Sequence, residues 1–338
     1  MYNPIRIEDV ARAAGVSTAT VSRALSRPER VREATRVQVQ QAVQKLGYVP
    51  DAAGRALASG RTRTVGCVVP TLDHAIFARS THAMQMALAV AGYQLLVASH
   101  NYDPDAEVDL VRALQQRGVD ALVLVGTGHQ KALWKELLQW RNPVLLTWSC
   151  DPRLPSIGFD NTAIAALAAR HLIDLGHRRI GMISGHTEYN DRARARLEGL
   201  RATLKTAGLP LPQEWISLQA LNIAGGRLGM QQLAAAKKRP TAIVCGNDLL
   251  AAGALFEAQR MGIAVPQQLS ICGIDNHELA VETNPALTTI ALPTQDLGRI
   301  AAAQVLAALA GEPIAQQSLL PFQLLVRGTT GRFPLGYP

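Results

Sequence analysis

The residues best suited to recognising a ligand near the amino terminus are short polar side chains and one arginine. If residues 18–24 are helical, Ser17 is a natural N-cap for that helix. The outward-facing residues are Thr18, Ala19, Thr20, Ser22 and Arg23. On such a surface an arginine can hydrogen bond to a base edge, whereas Ala19 can only touch a thymine methyl group or exclude bulk. These side chains could read base edges if the segment belongs to a DNA-binding unit.

This helix would be held by the preceding residues, because IEDVARAAGVSTATVSRA (7–24) has the pattern of a helix-turn-helix. Ala11 is small enough for the helix crossing, and Gly15 tolerates the positive φ that ends the first helix. The residues that close the interface are Val10, Ala14, Val16, Val21 and Ala24. An alanine-rich helical hairpin could imitate part of this pattern, although not the whole set at this spacing. A third helix is predicted from about Thr35 to Leu46, ended by Gly47.

The charge is concentrated in the same region. The net charge is +8, and residues 1–64 hold eleven Lys or Arg against five Asp or Glu. A basic segment attached to a nearly neutral body is typical of proteins that bind polyanions. The four cysteines form no C-x-x-C pair, so neither disulfides nor zinc are expected. The start, MYNPIRIED, lacks the apolar stretch of a signal peptide, and no membrane span is recognisable, so a cytoplasmic protein without a membrane partner is expected.

The rest of the chain alternates short apolar runs with helical segments, which predicts parallel sheets covered by helices on both faces. The predicted strands are 64–69, 94–98, 121–125, 144–147, 179–184, 241–245 and 269–273. Such sheets bind ligands beyond the carboxyl ends of their strands. Asn247 and Asp275 each follow a predicted strand, and Arg196 lies in the helix after RIGMISGH.

These three side chains could bind a polar small molecule. A guanidinium and a carboxylate together bind vicinal hydroxyls, and an arginine alone binds a carboxylate with two hydrogen bonds. The alternative is that Arg196 belongs to a solvated helix face and that Asp275 only caps the next helix.

Several motifs resemble, in order, those of the lactose/galactose-repressor (LacI/GalR) family of bacterial transcription regulators. They include DVARAAGVSTATVSR, LGYVPDAAGRAL, TVGCVVP, HLIDLGHRRIGMISG, GNDLLAAGAL, LSICGIDN and NPALTTI. The resemblance implies an all-α helix-turn-helix headpiece followed by a two-lobed α/β domain of the periplasmic-binding-protein type. That domain would have two parallel sheets and three crossovers, near 162, 292 and 324.

The implied domains are a headpiece (1–50), a hinge helix and linker (51–63), an effector-binding and dimerisation domain (64–331) and a tail (332–338). Lobe 1 would comprise about 64–162 and 293–323, and lobe 2 about 163–291 and 324–331.

The resemblance also assigns roles to single residues. Thr18, Ala19 and Arg23 match base-reading positions, Arg55 belongs to the DNA-binding hinge, and Leu57 matches a leucine that relatives insert into the minor groove. The residues matched to the effector site are Arg196, Asn247 and Asp275, with Phe77 and the neighbouring His74 and Trp148 on the opposite wall. Trp148 stands where several relatives have an acidic residue, so it could stack on a sugar or merely form the wall and core.

Other positions depart from the family pattern. Arg6 and Arg32 stand where Thr or Ser usually begins helices 1 and 3, and losing such a cap costs about 1 kcal/mol. The hinge carries Asp51 and Gly54 in place of the usual Asn and Ala, and it is expected to order only on DNA.

The sequence thus predicts a dimeric repressor of near-palindromic, double-stranded operator DNA. Its effector would be a small sugar or sugar acid bound between the lobes, with no cofactor. The ending RFPLGYP lacks the leucine repeat of tetrameric relatives, which favours a homodimer. The alternative is a two-lobed small-molecule-binding protein or an enzyme. The helix-turn-helix argues against this alternative, and neither an export signal nor a catalytic motif is recognisable. The segment Gly126-Thr127-Gly128, for example, does not continue as the nucleotide-binding motif G-x-G-x-x-G.

Overall fold

A computed structural model of the chain describes residues 5–26, 28–49 and 60–333. The chain divides into two compact units, Met1–Thr64 and Val65–Pro338. The contacts predicted for Arg55 and Leu57, and most of the predicted hinge, lie outside the described residues. Within those residues no helix has the length and apolarity needed to cross a membrane.

The first unit is a three-helix headpiece. Its elements are α1 (Ile7–Ala14), α2 (Thr18–Ser26), a 3-10 turn (Pro28–Arg30) and α3 (Glu33–Leu46). Its core consists of Val10, Ala11, Val21, Ala24, Val39 and Ala42. The predicted helix-turn-helix and the third helix are confirmed, although α3 begins two residues before the predicted Thr35.

The ends of these helices show how the sequence fixes the turns. Gly15 ends α1 with a φ of 65°, and Ser17 caps α2 because its Oγ accepts the Thr20 N–H at 3.2 Å. In the described part of the headpiece, neither Arg6 nor Arg32 caps its helix with a side chain. At α1 the carboxylate of Asp9 partly compensates, because it accepts the N–H of Arg6 at 3.0 Å.

Lobe 1 of the second unit contains one six-stranded sheet. Its strands are β1 (Thr64–Val69), β2 (Gln94–Ser99), β3 (Ala121–Val125), β4 (Val144–Trp148), β5 (Ser156–Gly158) and β11 (Gln317–Leu319). They lie in the order β11-β5-β4-β3-β1-β2, and the neighbours from β11 to β1 pair in parallel. The helices of this lobe are α4 (Ala75–Val90), α5 (Pro104–Gln116), α6 (Lys131–Gln139) and α12 (Thr294–Ala310).

Lobe 2 contains a second six-stranded sheet. Its strands are β6 (Ile180–Ser184), β7 (Ile216–Leu218), β8 (Ala242–Cys245), β9 (Ser270–Asp275), β10 (Thr288–Ala291) and β12 (Gln323–Leu325). Their order is β12-β10-β9-β8-β6-β7, with only the edge pair β10–β12 antiparallel among these described neighbours. The helices are α7 (Asn161–Asp174), α8 (Asp191–Thr206), α9 (Ile223–Ala234), α10 (Asp248–Arg260) and α11 (Leu279–Glu282), with a 3-10 turn at Gln213–Trp215.

The chain passes between the two lobes three times: between β5 and α7, between β10 and α12, and between β11 and β12. This topology confirms the predicted two-lobed α/β fold. Strands β1, β3, β4, β6, β8 and β9 are almost wholly buried, as their apolar runs indicate. The structure adds the short strands β5, β7, β10, β11 and β12, which the sequence patterns did not predict.

Candidate ligand cleft and DNA-binding helix

A cleft lies between the lobes where the strands of both sheets end. Its outer chamber has a volume of about 520 Å³. Thr71, Asp73 and Asn101 line it from lobe 1, and His186, Glu188 and Gln219 line it from lobe 2. A deeper cavity of about 30 Å³ shares His74, Tyr102, Asn190 and Leu221 with this chamber. The two spaces therefore form one cleft that narrows towards its inner end.

All six residues predicted for the effector site line the deep cavity. His74, Phe77 and Trp148 come from lobe 1, whereas Arg196, Asn247 and Asp275 come from lobe 2. The fold thus brings together side chains that are far apart in the chain. Their contact with an effector remains a prediction.

Arg196 is fixed in the wall of this cavity. Its side chain is buried; Nε donates to Oδ1 of Asn161 at 2.9 Å, and Nη1 donates to the carbonyl of Gly246 at 2.6 Å. The remaining nitrogen, Nη2, is 3.9 Å from Oδ1 of Asp275. The alternative of a solvated helix face is therefore wrong for Arg196.

Asp275 presents an unsatisfied acceptor. Its side chain is buried, and Oδ1 has no hydrogen-bond partner among the described residues. It does not cap α11, whose N-cap is Glu278, so the capping alternative is also wrong. Burial raises the pKa of Asp275 to about 7, although the charges of Arg196 and Arg192 oppose this shift. A hydroxyl donor entering the cavity would satisfy this oxygen.

Asn247 has fewer atoms available to a ligand than predicted, because its side-chain oxygen already accepts a hydrogen bond. Its Oδ1 accepts the Leu250 N–H at 2.9 Å and caps α10, so the Nδ2 group is left to face a ligand. Asn190 and Asn222 cap α8 and α9 in the same way and also line the cleft. Neither residue was predicted from the sequence, although an asparagine directly before a helix is a recognisable signal.

The opposite wall is aromatic. The rings of His74 and Phe77 are stacked with centroids 6.1 Å apart, and Phe77 meets the edge of Trp148 at 5.0 Å. Trp148 is only 2% exposed and also contacts Phe159, so it is a packed part of the wall. Burial lowers the pKa of His74, partly offset by a hydrogen bond with the backbone of Leu221. This wall is therefore largely uncharged at neutral pH.

The lobes also touch each other beside the cavity, through residues that the sequence did not single out. Asp191 of lobe 2 accepts from the hydroxyl of Thr127 of lobe 1 at 3.2 Å and pairs with Arg192 at 2.9 Å. A Cβ on Gly126 would collide with Arg192 and Asp191. At another point Arg79 of lobe 1 pairs with Glu278 of lobe 2 at 2.5 Å. These contacts join the two lobes beside the cavity.

The DNA-reading residues predicted on α2 lie mostly at its surface. Ser17, Thr18, Ala19, Ser22 and Arg23 are exposed. Thr20 is half-buried, and its hydroxyl hydrogen bonds to that of Ser17 at 2.9 Å. Arg23 donates from Nε to the carbonyl of Ala19 at 3.2 Å, which holds the guanidinium along the exposed side of the helix. Their contacts with DNA remain a prediction.

Across residues 5–26, 28–49 and 60–333, no group of three or more His, Cys, Asp or Glu is placed to hold a metal ion.

A helix-turn-helix unit in the same chain as a two-lobed unit with a polar cleft defines a ligand-responsive DNA-binding regulator. Residues 6–51 match the family described as bacterial regulatory proteins, lacI family, and residues 169–330 match the periplasmic binding protein-like domain. The chain belongs to the LacI family.

Known proteins are similar to this chain along nearly its whole length. The HTH-type transcriptional repressor CytR of Escherichia coli (strain K12) is 33% identical over 97% of both chains. A LacI-family regulator from Silicibacter pomeroyi superposes with a TM-score of 0.88 at 27% identity, covering 97% of this chain and 100% of that one. The lac repressor dimer bound to operator and the anti-inducer ONPF gives a TM-score of 0.86 at 26% identity, covering 97% and 100%.

Proposed function

We propose that this protein is a transcriptional repressor whose affinity for operator DNA is controlled by a small molecule bound between the lobes. The observation that carries the proposal is the convergence of all six predicted effector residues on one interlobe cavity. A ligand that contacts both lobes binds one lobe arrangement better than another, and this difference can change DNA affinity.

The polar lining supports a sugar or sugar acid as effector, and the distribution of charge favours an uncharged sugar. Arg192 is paired with Asp191, and Arg196 faces Asp275. Among the described residues that line the outer chamber, the charged ones are acidic, Asp73 and Glu188. Within the described part of that chamber a carboxylate would therefore meet no Lys or Arg, whereas hydroxyl groups would meet amide donors there and the free oxygen of Asp275 in the deep cavity.

Exposed apolar side chains on lobe 1 support a homodimer. On α4, Met86 is 56% and Val90 is 92% exposed; on the edge strand β2, Leu96 and Val97 are each 38% exposed. Apolar patches of this kind mark interfaces, and a second copy would cover them while supplying a second recognition helix for a near-palindromic operator. Sedimentation of the Val90→Glu variant should show dissociation, and a monomeric wild type would contradict this proposal.

The site of action would be the cytoplasm, where bacterial DNA lies. The alternative is an enzyme or receptor built on the same two lobes. A fragment beginning at residue 65 would retain the activity of an enzyme or receptor, but it would lose operator binding. If that fragment retained every function of the full chain, the proposal of a repressor would be rejected.

The effector class can be tested by thermal unfolding of the full chain with D-glucose, D-ribose, cellobiose and D-gluconate. A saturable rise in melting temperature is expected with at least one uncharged sugar. The same compound must then change binding to operator fragments selected from random DNA. Stabilisation by D-gluconate alone would favour a sugar acid over an uncharged sugar, and no response to any compound would reject the sugar class.

A further inference from the structure

The backbone that carries Asp275 has an unusual conformation. Asp275 and Asn276 have φ values of 109° and 51°, so two consecutive residues with side chains occupy a region that favours glycine. Such a conformation persists only where neighbouring groups hold it in place. The position of the Asp275 carboxylate in the cavity therefore depends on whatever fixes the backbone of residues 275–277, which we call the 275–277 turn.

Three residues outside the turn hold it. Oδ2 of Asp248 accepts the N–H of His277 at 2.7 Å, and Oδ1 of Asp248 accepts the hydroxyl of Thr289 at 2.6 Å. The same Thr289 hydroxyl oxygen accepts the N–H of Asn276 at 3.3 Å. Arg327 donates to Oδ1 of Asn276 at 2.8 Å. Asp248 is thus bonded to the turn both directly and through Thr289.

We propose that Asp248 is a positioning residue, which holds the 275–277 turn so that Oδ1 of Asp275 faces the effector cavity. This inference rests on the proposed role of the cleft in effector binding. Asp248 is 1% exposed and lines neither chamber within the described part of the chain. It acts on an effector only through the backbone of β9 and the turn that follows. The glycine at 273 gives it room, because a Cβ there would collide with Oδ1 of Asp248.

The carboxyl group at this position supports the assignment. Burial and the neighbouring Asp275 raise the pKa of Asp248 to about 8, against the hydrogen bonds from Thr289 and His277, which lower it. A second carboxyl beside Asp275 is unfavourable for packing alone. Its oxygens, however, match the two donors that fix the turn, which neither an apolar side chain nor an amide could do completely.

The first test needs no ligand and compares amide hydrogen exchange in the full-length protein. Asp248→Asn loses one acceptor, and Thr289→Val loses the hydroxyl that joins Asp248 to Asn276. The matched control is Glu257→Gln, a carboxyl on the same helix that is 5% exposed and bonded to Arg227 and Gln231. We expect exchange in residues 275–278 to quicken at least tenfold in both variants and to stay unchanged in the control. Unchanged exchange in Asp248→Asn would overturn the proposal.

The second test measures binding of D-glucose, D-ribose, cellobiose and D-gluconate to each variant. For any probe that saturates the wild type, Asp248→Asn should weaken binding at least tenfold without shifting the melting temperature more than Glu257→Gln does. The double variant with Asp275→Asn should bind no more weakly than Asp275→Asn alone, because both changes remove the same contact. Additive losses would overturn the positioning role. If no probe binds the wild type, the proposed effector class fails, and the exchange result alone decides the role of Asp248.

Discussion

Arg196 and Asp275 face each other in the deep cavity without forming a hydrogen-bonded ion pair, since Nη2 and Oδ1 are 3.9 Å apart. Both side chains are buried, and each keeps hydrogen-bonding capacity towards the cavity. A ligand hydroxyl placed between them could donate to Asp275 and accept from Arg196. Since each group is already desolvated, much of the interaction would be gained only when the ligand is present.

Replacing Arg196 should separate effector response from DNA binding. Arg196→Ala should lose about 2 kcal/mol or more of affinity for the stabilising compound, because a charge-assisted hydrogen bond disappears. Operator binding should remain near wild type, and it should no longer change with the compound. Calorimetry measures the affinity for the compound, and fluorescence anisotropy measures operator binding. Arg194→Ala, an exposed change on the same helix, is the control. Wild-type affinity in Arg196→Ala would move the binding site elsewhere.

Gly126 tests the close contact between the two lobes. Gly126→Ala places a methyl group against Arg192 and Asp191 of the opposite lobe, so we expect a larger radius of gyration in X-ray scattering and weaker effector binding. Its φ of 85° adds a strain of roughly 1–2 kcal/mol to this collision. Gly208→Ala is the matched control, with a φ of 68° and no atom within 4 Å of the added Cβ. Equal scattering from both variants would refute an interlobe effect.

Asp275 should make stability fall as the pH rises. Its pKa is about 7 in the folded protein and 3.8 in an unfolded chain, so the folded state retains a proton that the unfolded state releases. The stabilising contribution is complete below about pH 4 and is lost as the pH rises through about 7.

In urea unfolding between pH 5 and 7, Asp275→Asn should therefore show a flatter pH dependence than wild type, by up to about 1.4 kcal/mol per pH unit. Glu257→Gln should keep the wild-type slope. Hydrogen bonds from Gln231 and Arg227 hold the pKa of Glu257 below its usual range, so that carboxyl stays ionised throughout this interval. Identical slopes for wild type and Asp275→Asn would contradict the assigned shift.

Arg23 should contribute to sequence-specific binding. Arg23→Ala is expected to weaken binding to the selected operator by about 1–3 kcal/mol, with little change on random DNA, because a base contact acts only on the correct sequence. Arg12→Ala, an exposed change on α1, serves as the control for charge. Equal losses on both DNAs would make Arg23 a phosphate contact.

The sequence alone determined the elements whose signals are local. The helix-turn-helix could be predicted because Ala11, Gly15 and Ser17 act within a few residues of their own positions. The buried strands β1, β3 and β9 could be predicted because a short apolar run bounded by turns is itself the signal. Placing Arg196, Asn247 and Asp275 in one site required the family resemblance, since composition and spacing alone left solvated and capping alternatives open.

Only the tertiary structure decided the features that depend on distant partners. Strands β5 and β12 are three residues long, too short for a recognisable alternation, and they exist because neighbouring strands accept their hydrogen bonds. The use of the Asn247 oxygen as a cap, the free oxygen of Asp275 and the support from Asp248 likewise arise from packing. Sequence patterns report which side chains prefer burial or a turn, whereas the atom that meets a given hydrogen-bond donor is set by contacts between lobes and strands far apart in the chain.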